Sequence, residues 1–260
     1  MNDGQDSNRN TDNNSAPPEV FVLPQYPHVK IWRYMDFTKF VSMLENRGLY
    51  FARADHMGDI FEGSVPTMNR KNWRELYAHL PLSDKFKEAV IENLSCTNRE
   101  NLKWIFINCW HMNDCESAAM WVIYARTAEA ICIQTTFEIL QECLGPSQTI
   151  RDVQLSKVTY LDYDTEVQPE GNIFFPFLHK RRSFEHEKEL RAIIHISEED
   201  RPSSPPDGKW IPVKLERLIQ RVYIAPTAPK WLAELIERVI SRYGLKLKVE
   251  QSLLDKSPVY

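Results

Sequence analysis

The segment from His179 to Arg191 carries the densest set of side chains that could do chemistry. Lysines and arginines lie there beside three glutamates, and the segment runs directly into the apolar Ala192-Ile193-Ile194. This change of pattern indicates a helix followed by a central strand. If Glu189 begins that strand, its carboxylate lies at the rim of a sheet, where the adjacent Arg191 keeps it ionised. The sequence therefore predicts a charged site at this rim.

The same charges also fit a second interpretation, a solvated helix face. Glu185, Lys188 and Glu189 stand at the i, i+3 and i, i+4 spacings of ordinary helix ion pairs. The sequence leaves the site and the solvated face as alternatives.

A second candidate is the stretch Met120-Trp121-Val122-Ile123-Tyr124-Ala125-Arg126. Trp121 and Tyr124 are three residues apart and share one helix face, with Ser117 one turn earlier. Such a stripe either lines a ligand pocket or packs into the core, because buried aromatic side chains supply much of a core's apolar area.

Arg33 is a charge inside an apolar run, Trp32-Arg33-Tyr34. An unpaired buried charge is costly, so Arg33 either extends to the surface or pairs with a carboxylate. Arg33 and its neighbour Tyr34 are candidates for contact with a substrate.

Three residues could supply metal ligands, namely Cys109, His111 and Cys115, with Cys96 as a fourth. Their spacing matches no common zinc pattern, and Cys109 ends an apolar strand. We therefore expect ordinary burial and no metal site.

Familiar catalytic signatures do not occur in the sequence. The loop motif from Gly58 to Gly63, which contains Asp59 and Glu62, has glycines at phosphate-loop spacing, but Ser64 and Val65 stand where Lys and Ser/Thr would be needed. We expect a turn there. The chain has no Gly-rich dinucleotide fingerprint, no Gly-x-Ser-x-Gly elbow, and no second histidine four residues after His186.

A nuclease is a weaker alternative. Glu189-Leu190-Arg191 approaches the acid-x-lysine ending of a magnesium-nuclease strand. However, arginine does not readily give up a proton, and no upstream aspartate is well placed.

Composition narrows the class of protein. The 260 residues are 43% hydrophobic and carry a net charge of −4, which excludes a bulk nucleic-acid binder. Five cysteines, an odd number, predict reduced thiols in a cytoplasmic protein. No apolar stretch approaches the roughly 18 to 20 residues needed to span a bilayer, so we expect no membrane association. Residues 1–18 are polar and predict a disordered tail.

Hydrophobic periodicity predicts a single α+β domain over residues 19–260, a mixed sheet with several surrounding helices. A helix is expected between Asp36, its N-cap, and Gly48, its stop. The C-terminal part predicts a β-α-β unit, with Pro229 at the helix start and Gly244 after its end. The other predicted strands are 20–23, 30–34, 49–51, 104–110, 130–135, 153–160 and 190–196, and the other predicted helices are 72–80, 83–94, 174–187 and one ending at 124 that Asp114 or Ser117 caps.

These segments together resemble the domain of unknown function 2971 family of bacteria and archaea, over nearly all of residues 30–253. The resemblance is carried by Ile31-Trp32-Arg33-Tyr34, Leu49-Tyr50-Phe51, Asp59-x-Phe61-Glu62-Gly63, Met120-Trp121-x-x-Tyr124-Ala125, Lys180 and Glu187-x-Glu189-x-Arg191. The chain departs from the family pattern at Gly58 and Phe184, where Asn and Trp are common. The resemblance implies a prokaryotic protein with a role in mobile or defence-related gene neighbourhoods, and we expect a defence or toxin role.

A more distant similarity is to the ADP-ribosyltransferase arrangement. In that family a first-strand His or Arg contacts the nicotinamide nucleotide, a middle aromatic or Ser lines the nicotinamide pocket, and a late Glu assists transfer. Carried over, Arg33 takes the first role and Glu189 the last, while Ser117 and Tyr124 both fit the middle one. This similarity implies NAD as substrate.

Two hypotheses follow. In the first, the chain is an NAD-using ADP-ribosyltransferase-like enzyme that acts on a protein or nucleic-acid acceptor. Its catalytic residue is then Glu189, and its substrate-binding residues are Arg33, Tyr34, Ser117, Trp121, Tyr124, Lys180 and Arg191. In the second, the chain is a non-catalytic binding or regulatory domain, and the same residues are architectural or contact a partner.

Overall fold

The computed structural model describes residues 19–124, 127–145, 153–256 and 258. The predicted disordered tail, residues 1–18, lies outside the described residues, as do Ala125 and Arg126 of the aromatic stretch.

Helices and strands alternate along the chain, as the sequence predicts for an α+β protein. The strands are β1 (Lys30–Met35), β2 (Gly48–Arg53), β3 (Ile105–Met112), β4 (Ile131–Thr136), β5 (Gln154–Lys157), β6 (Thr159–Leu161), β7 (His179–Arg181), β8 (Glu189–His195), β9 (Gly208–Pro212), β10 (Arg221–Ile224) and β11 (Val249–Gln251). The helices are α1 (Phe37–Glu45), α2 (Thr67–Ala78), α3 (Asp84–Asn101), α4 (Ala118–Tyr124), α5 (Phe137–Leu144), α6 (Phe175–Leu178), α7 (Leu215–Leu218) and α8 (Lys230–Arg242).

Nine of the strands form one mixed sheet in the described part of the chain. Its order is β11-β10-β4-β1-β3-β2-β9, and β8 pairs with both β3 and β5. The remaining strands, β6 and β7, form a small parallel sheet.

The large sheet is split beside β3. One edge of β3 pairs with β8 along its length, from Ile105 to His111. The other edge is shared, because β2 pairs at Phe106 and Ile107 while β1 pairs at residues 111 and 112. Residues 108–110 therefore face a gap between β1 and β2. Such a gap in an otherwise continuous sheet opens a path from one face to the other.

Each face of the sheet has its own apolar core. One face packs against α1, α5 and α8 through a large cluster that includes Phe40, Trp110 and Ile236. The opposite face carries two smaller clusters, one around Trp32 and Trp121 and another that includes Ile107, Ile193 and Phe177. Because successive strand residues point to opposite faces, Arg33 lies on the first face and Glu189 on the second.

The C-terminal β-α-β unit is confirmed. Pro229 is the N-cap of α8, and Gly244 follows the helix with a φ of +75°, in the left-handed region that favours glycine. Strand β11 then pairs parallel with β10. The N-cap of α1 is also the predicted Asp36, but this helix ends at Glu45, and Gly48 opens β2.

Three predicted elements are wrong. Residues 174–187 do not form one helix, because the chain passes from the single turn α6 into β7 and then into a 3-10 helix over Arg182–Glu187. Lys188, with a φ of +40°, ends that 3-10 helix. Residues 153–160 divide between β5 and β6, which belong to different sheets, and residues 20–23 form no regular strand.

Three elements have no counterpart in the sequence prediction, and one of them is the single turn α7. Helix α5 follows β4 directly, with Thr136 as an N-cap whose side chain accepts a hydrogen bond from the Ile139 amide. Strand β9 begins at Gly208, at the end of the proline-rich loop. None of the described helices combines the length and the apolar character needed to cross a bilayer.

Candidate functional site

A cavity of about 1020 Å³ occupies the split in the sheet. Its wall is formed by β1, β2, β3, β7, β9, α1, α4 and the start of β8, together with the loop after β2 and the 3-10 helix over Arg182–Glu187. The size is at the upper end of the roughly 300–1,000 Å³ typical of ligand pockets. The side chains that matter for its chemistry are Arg33, Tyr34, Lys39, Tyr50, Asp59, Glu62, Cys109, Trp110, His111, Tyr124, Lys180, Phe184, Glu187, Glu189 and Trp210.

Arg191 lies directly behind the cavity and is fully buried between two carboxylates. Its guanidinium contacts Glu62 through two nitrogens, at 2.6 and 2.9 Å, and Glu189 through two nitrogens, both at 3.1 Å. It also donates to the carbonyl oxygen of Phe177. This fork geometry fixes both carboxylates at the cavity wall.

Charge, more than burial, controls the ionisation of Glu189. Burial alone would raise the pKa of its carboxyl, but Arg191 and Lys180 outweigh burial and hold the pKa below its ordinary value. At Glu62 burial wins over the attraction of Arg191, so the pKa is raised. Glu189 is therefore the carboxylate of this pair that stays ionised most firmly.

A second charge pair adjoins the first. Lys180 Nζ donates to Glu187 at 2.5 Å and lies 3.6 Å from Glu189. The other oxygen of Glu187 accepts from the Tyr124 hydroxyl at 2.8 Å. Burial lowers the pKa of Lys180, but the two carboxylates more than compensate and raise it above its ordinary value. Lys180, Glu187 and Glu189 are buried, so the alternative of a solvated charged face is wrong for them, whereas Glu185 and Lys188, which also belonged to that alternative, are exposed.

Arg33 enters the cavity from the opposite face of the sheet. Its guanidinium lies 6.0 Å from the centre of the Trp110 ring, and Nη2 donates a long hydrogen bond to the Tyr50 carbonyl oxygen. It forms no ion pair with a described carboxylate, and Nη1 has no described partner. Burial lowers the pKa of Arg33 to about 10, so the side chain is still a cation at neutral pH.

Aromatic side chains form much of the remaining wall. The rings of Tyr50 and Trp210 pack with their centres 5.1 Å apart. The centre of the Phe184 ring lies 4.5 Å from Lys180 Nζ. Tyr50 packs tightly against Gly208, where any side chain would overlap the phenol ring. The cavity thus presents flat apolar surfaces beside charged groups.

The loop motif forms the turn that the sequence predicts, and it closes one side of the cavity. Arg181 joins this turn to β7, because its guanidinium pairs with Asp59 at 3.0 Å and stacks on the Phe61 ring at 3.9 Å. Asp59 and Glu62 both line the cavity.

Most of the predicted site residues meet at this cavity. Arg33, Tyr34, Tyr124, Lys180 and Glu189 line it, as does the loop motif. Three others do not line it. Ser117 caps α4 and donates its amide to the Tyr34 hydroxyl, Trp121 packs against the Tyr34 ring and donates to Glu116, and Arg191 acts from behind the wall.

The structure adds Glu187, His111 and Trp110 to the wall. Glu187 stands two residues before Glu189, and its repeat of the same residue type was the available signal. His111 was considered only as a possible metal ligand and Trp110 had no signal, because pairing of β3 with β8 and β1 brings both to the site.

The five cysteines are free thiols. Burial raises the pKa of Cys109 well above its ordinary value, so this thiol stays protonated beside Glu189. Among the described residues, no group of three or more His, Cys, Asp or Glu side chains is placed to hold a metal ion.

Comparisons with known proteins found no match to a family model, to a curated protein or to a solved structure. What the chain does must therefore be argued from this cavity. An ionised carboxylate next to aromatic surfaces and an unpaired cation can bind a planar, anionic ligand and stabilise positive charge that develops on it.

Proposed function

We propose that the chain is an NAD-using ADP-ribosyltransferase-like enzyme, with Glu189 as the catalytic residue. The observation that carries the proposal is the position of Glu189 at the cavity wall, where Arg191 and Lys180 keep its carboxylate ionised. The resemblance to the domain of unknown function 2971 family and the similarity to ADP-ribosyltransferases remain predictions from the sequence.

The proposed reaction needs a fixed negative charge. When the bond between nicotinamide and ribose breaks, nicotinamide leaves with the bonding electrons and positive charge develops on the ribose ring. A carboxylate about 4 Å away, at an effective dielectric constant of about 20, would contribute about 4 kcal/mol. That corresponds to a rate factor of at most about 10³, because Arg191 and Lys180 beside Glu189 offset part of its charge. A nucleophile of the acceptor, or water, then bonds to the same carbon and releases a proton.

The rest of the cavity fits the rest of such a ligand. Tyr50, Trp210 and Phe184 offer flat surfaces for a base or a nicotinamide ring. Arg33 and Lys39 offer positive charge for a pyrophosphate on the α1 side of the sheet. The acceptor in this proposal is a protein or a nucleic acid, and the setting is the prokaryotic cytoplasm, with a defence or toxin role.

The proposal is tested by nicotinamide release. Folded wild-type protein is incubated with NAD and with protein, DNA or RNA acceptors. We expect release to fall by up to about 10³-fold in Glu189→Gln, because the variant lacks the charge that stabilises the transition state. Glu142→Gln, which removes an exposed partner of Arg217, controls for substitution itself.

A second control separates charge at the reaction centre from loss of the buried ion pair. Glu62→Gln removes the other carboxylate that contacts Arg191. If Glu62→Gln and Glu189→Gln lose stability and activity equally, Glu189 has no special role in the reaction. Wild-type protein that neither binds nor consumes NAD with any acceptor would end the proposal.

One observation favours the second hypothesis, a non-catalytic binding domain. The carboxylate oxygens of Glu189 and Glu187 are already occupied by Arg191, Lys180 and Tyr124. In that case Glu189→Gln lowers the melting temperature, and no NAD turnover exists to be lost. Melting curves recorded beside the release assay distinguish the two.

A further inference from the structure

His111 is a buried histidine in the cavity wall. It lies on β3, directly opposite Glu189 on β8 and Trp32 on β1. Directly opposed residues of antiparallel strands point to the same face, so His111 and Glu189 are neighbours on one side of the sheet. The side chain is only 4% exposed, yet it lines the cavity.

The hydrogen bond of His111 fixes where its proton resides. Nδ1 lies 2.6 Å from the carbonyl oxygen of Glu187. A carbonyl oxygen can only accept, so Nδ1 donates and carries the proton of the neutral ring. Nε2 then carries a lone pair that can accept a hydrogen bond. This nitrogen is buried and has no hydrogen-bond partner among the described residues.

The surroundings keep the ring neutral. Burial is the main cause that lowers the pKa of His111, and the charges of Lys188 and His186 lower it further, against the opposing effects of the Glu187 carbonyl and carboxylate. Across the ring lie Tyr34 on β1, with ring centres 6.3 Å apart, and Glu189 on β8. The Tyr34 hydroxyl accepts the Ser117 amide, and burial raises its pKa, so it brings no negative charge.

A buried acceptor without a donor lowers stability, and folded proteins keep few of them. No described side chain or amide donates to Nε2, and Tyr124 and Lys180, which also line the cavity, both donate to Glu187. The missing partner is therefore expected in the cavity itself.

We propose that Nε2 of His111 accepts a hydrogen bond from an uncharged donor of the bound ligand, either an amide N–H or a hydroxyl. The inference rests on the proposed function, in which the ligand is NAD. A pyrophosphate oxygen of NAD cannot take this place, because it has no proton to donate at neutral pH. Its own lone pairs would point at the lone pair of Nε2. With Arg33 on the other face of the sheet, the two residues orient the ligand. Its amide- or hydroxyl-bearing end lies beside His111 and Glu189, and its phosphates lie toward Arg33.

The first test concerns the free protein. Ring nitrogen chemical shifts from 15N-labelled protein, assigned by comparison with His111→Gln, report which nitrogen is protonated. We expect a protonated Nδ1 and a bare Nε2 at pH 7.5, with the Nε2 signal moving toward hydrogen-bonded values when NAD is added. A proton on Nε2 in the free protein would overturn the inference.

The second test measures binding of NAD by calorimetry to wild type, His111→Gln and His111→Phe. Gln Oε1 can accept in place of Nε2, whereas Phe cannot. We expect the Kd to rise at least about tenfold in His111→Phe and to stay close to wild type in His111→Gln. A purely structural role would not produce this recovery in the Gln variant. Circular dichroism confirms that both variants are folded.

A second probe, the NAD analogue with a carboxylate in place of the carboxamide, distinguishes the two donors. If the amide is the donor, the analogue binds wild type weakly and His111→Phe changes little for it. If a ribose hydroxyl is the donor, His111→Phe weakens both probes alike. If His111→Phe binds both probes as tightly as wild type does, this inference is overturned while the proposed function is not.

The outcome also separates this inference from the proposed function. NAD that binds through His111 but is never consumed rejects the enzyme and keeps the binding role. Wild-type protein that binds neither probe rejects both.

Discussion

Arg33 and Glu189 line one cavity from opposite faces of the same sheet. Arg33 belongs to the face that packs against α1, whereas Glu189 belongs to the face that carries His111, and Lys180 of β7 contacts Glu189 from outside the large sheet. They share a cavity because β1 and β2 separate beside residues 108–110 of β3. A ligand that contacts both, such as the dinucleotide proposed above, must therefore extend through the plane of the sheet.

The first prediction concerns Arg191. Lysine keeps the charge but cannot contact Glu62 and Glu189 at the same time in the geometry of the guanidinium. We expect Arg191→Lys to lower the free energy of unfolding by about 3 kcal/mol, because buried carboxylates lose their partner. Urea denaturation measures it. The matched control is Arg217→Lys, an exposed pair with Glu142, which should cost less than about 1 kcal/mol. Equal effects of the two substitutions would contradict a buried network.

The second prediction concerns acid stability. Burial lowers the pKa values of His111, His179 and His195 below that of an unfolded histidine, about 6.5. The unfolded chain therefore binds more protons just below that pH, so these residues contribute stability that is present above about pH 6.5 and is lost as the pH falls through their folded values. We expect the free energy of unfolding to fall as the pH drops below about 6.5.

Variants identify the source of that slope. His111→Gln should make the decline shallower, since the unfolded chain then has one fewer histidine to protonate. His79→Gln replaces an exposed histidine and shows how much of the change comes from burial. A decline that is as steep in His111→Gln as in wild type would contradict the assignment.

The third prediction concerns Gly208, which packs against the ring of Tyr50. A Cβ at position 208 would stand about 2.1 Å from the ring, so the phenol must move. We expect Gly208→Ala to cost about 1–3 kcal/mol and to displace a wall of the cavity. Gly58→Ala is the matched control, because nothing lies within 4 Å of a Cβ there. Adding Tyr50→Ala should recover part of the lost stability. If it recovers none, the loss comes from the backbone at position 208 and not from overlap with the Tyr50 ring.

The fourth prediction concerns Glu116, which ties the C-terminal segment to the start of α4. Its carboxylate accepts from Trp121 Nε1, from Ser252 Oγ and from the Leu253 amide. Glu116→Gln turns one acceptor into a donor that faces other donors, so we expect a loss of about 1–3 kcal/mol. Hydrogen exchange at Leu253 and Leu254 should speed up. Ser252→Ala removes only one contact and should cost less, and an equal cost would argue against a shared acceptor.

The sequence predicted those elements whose ends are marked by local chemistry. Pro229 and Gly244 bound α8, so this helix was recognised from short-range signals. Helix α3 was recognised from its amphipathic pattern and is capped by Ser83, but it continues to Asn101, beyond the predicted end at residue 94. The single helix predicted over residues 174–187 was wrong, because the charges there fit helical spacing without forming an α-helix. In the fold Lys180 instead belongs to a strand and reaches Glu187 across a 3-10 turn, a pairing that tertiary structure imposes.

The site was predictable where it coincided with a change of pattern. Glu189 begins a strand, as the switch from charged to apolar residues indicated. His111 was considered only as a metal ligand, since its partners Glu187 and Glu189 are more than 70 residues away and only the pairing of β3 with β8 brings them together. Long-range register of this kind leaves no local signal in a single sequence.

The split beside β3 also has a mechanical meaning. Within the large sheet, β3 is the one described strand that pairs with both β1 and β2. Strands twist about their own axes, so a small change in the twist of β3 between Ile107 and His111 rotates one half of the sheet against the other. The cavity would widen or narrow with that rotation. Substitutions at residues 108–110 that alter backbone twist should therefore change how fast a ligand enters and leaves, even where they touch no ligand atom.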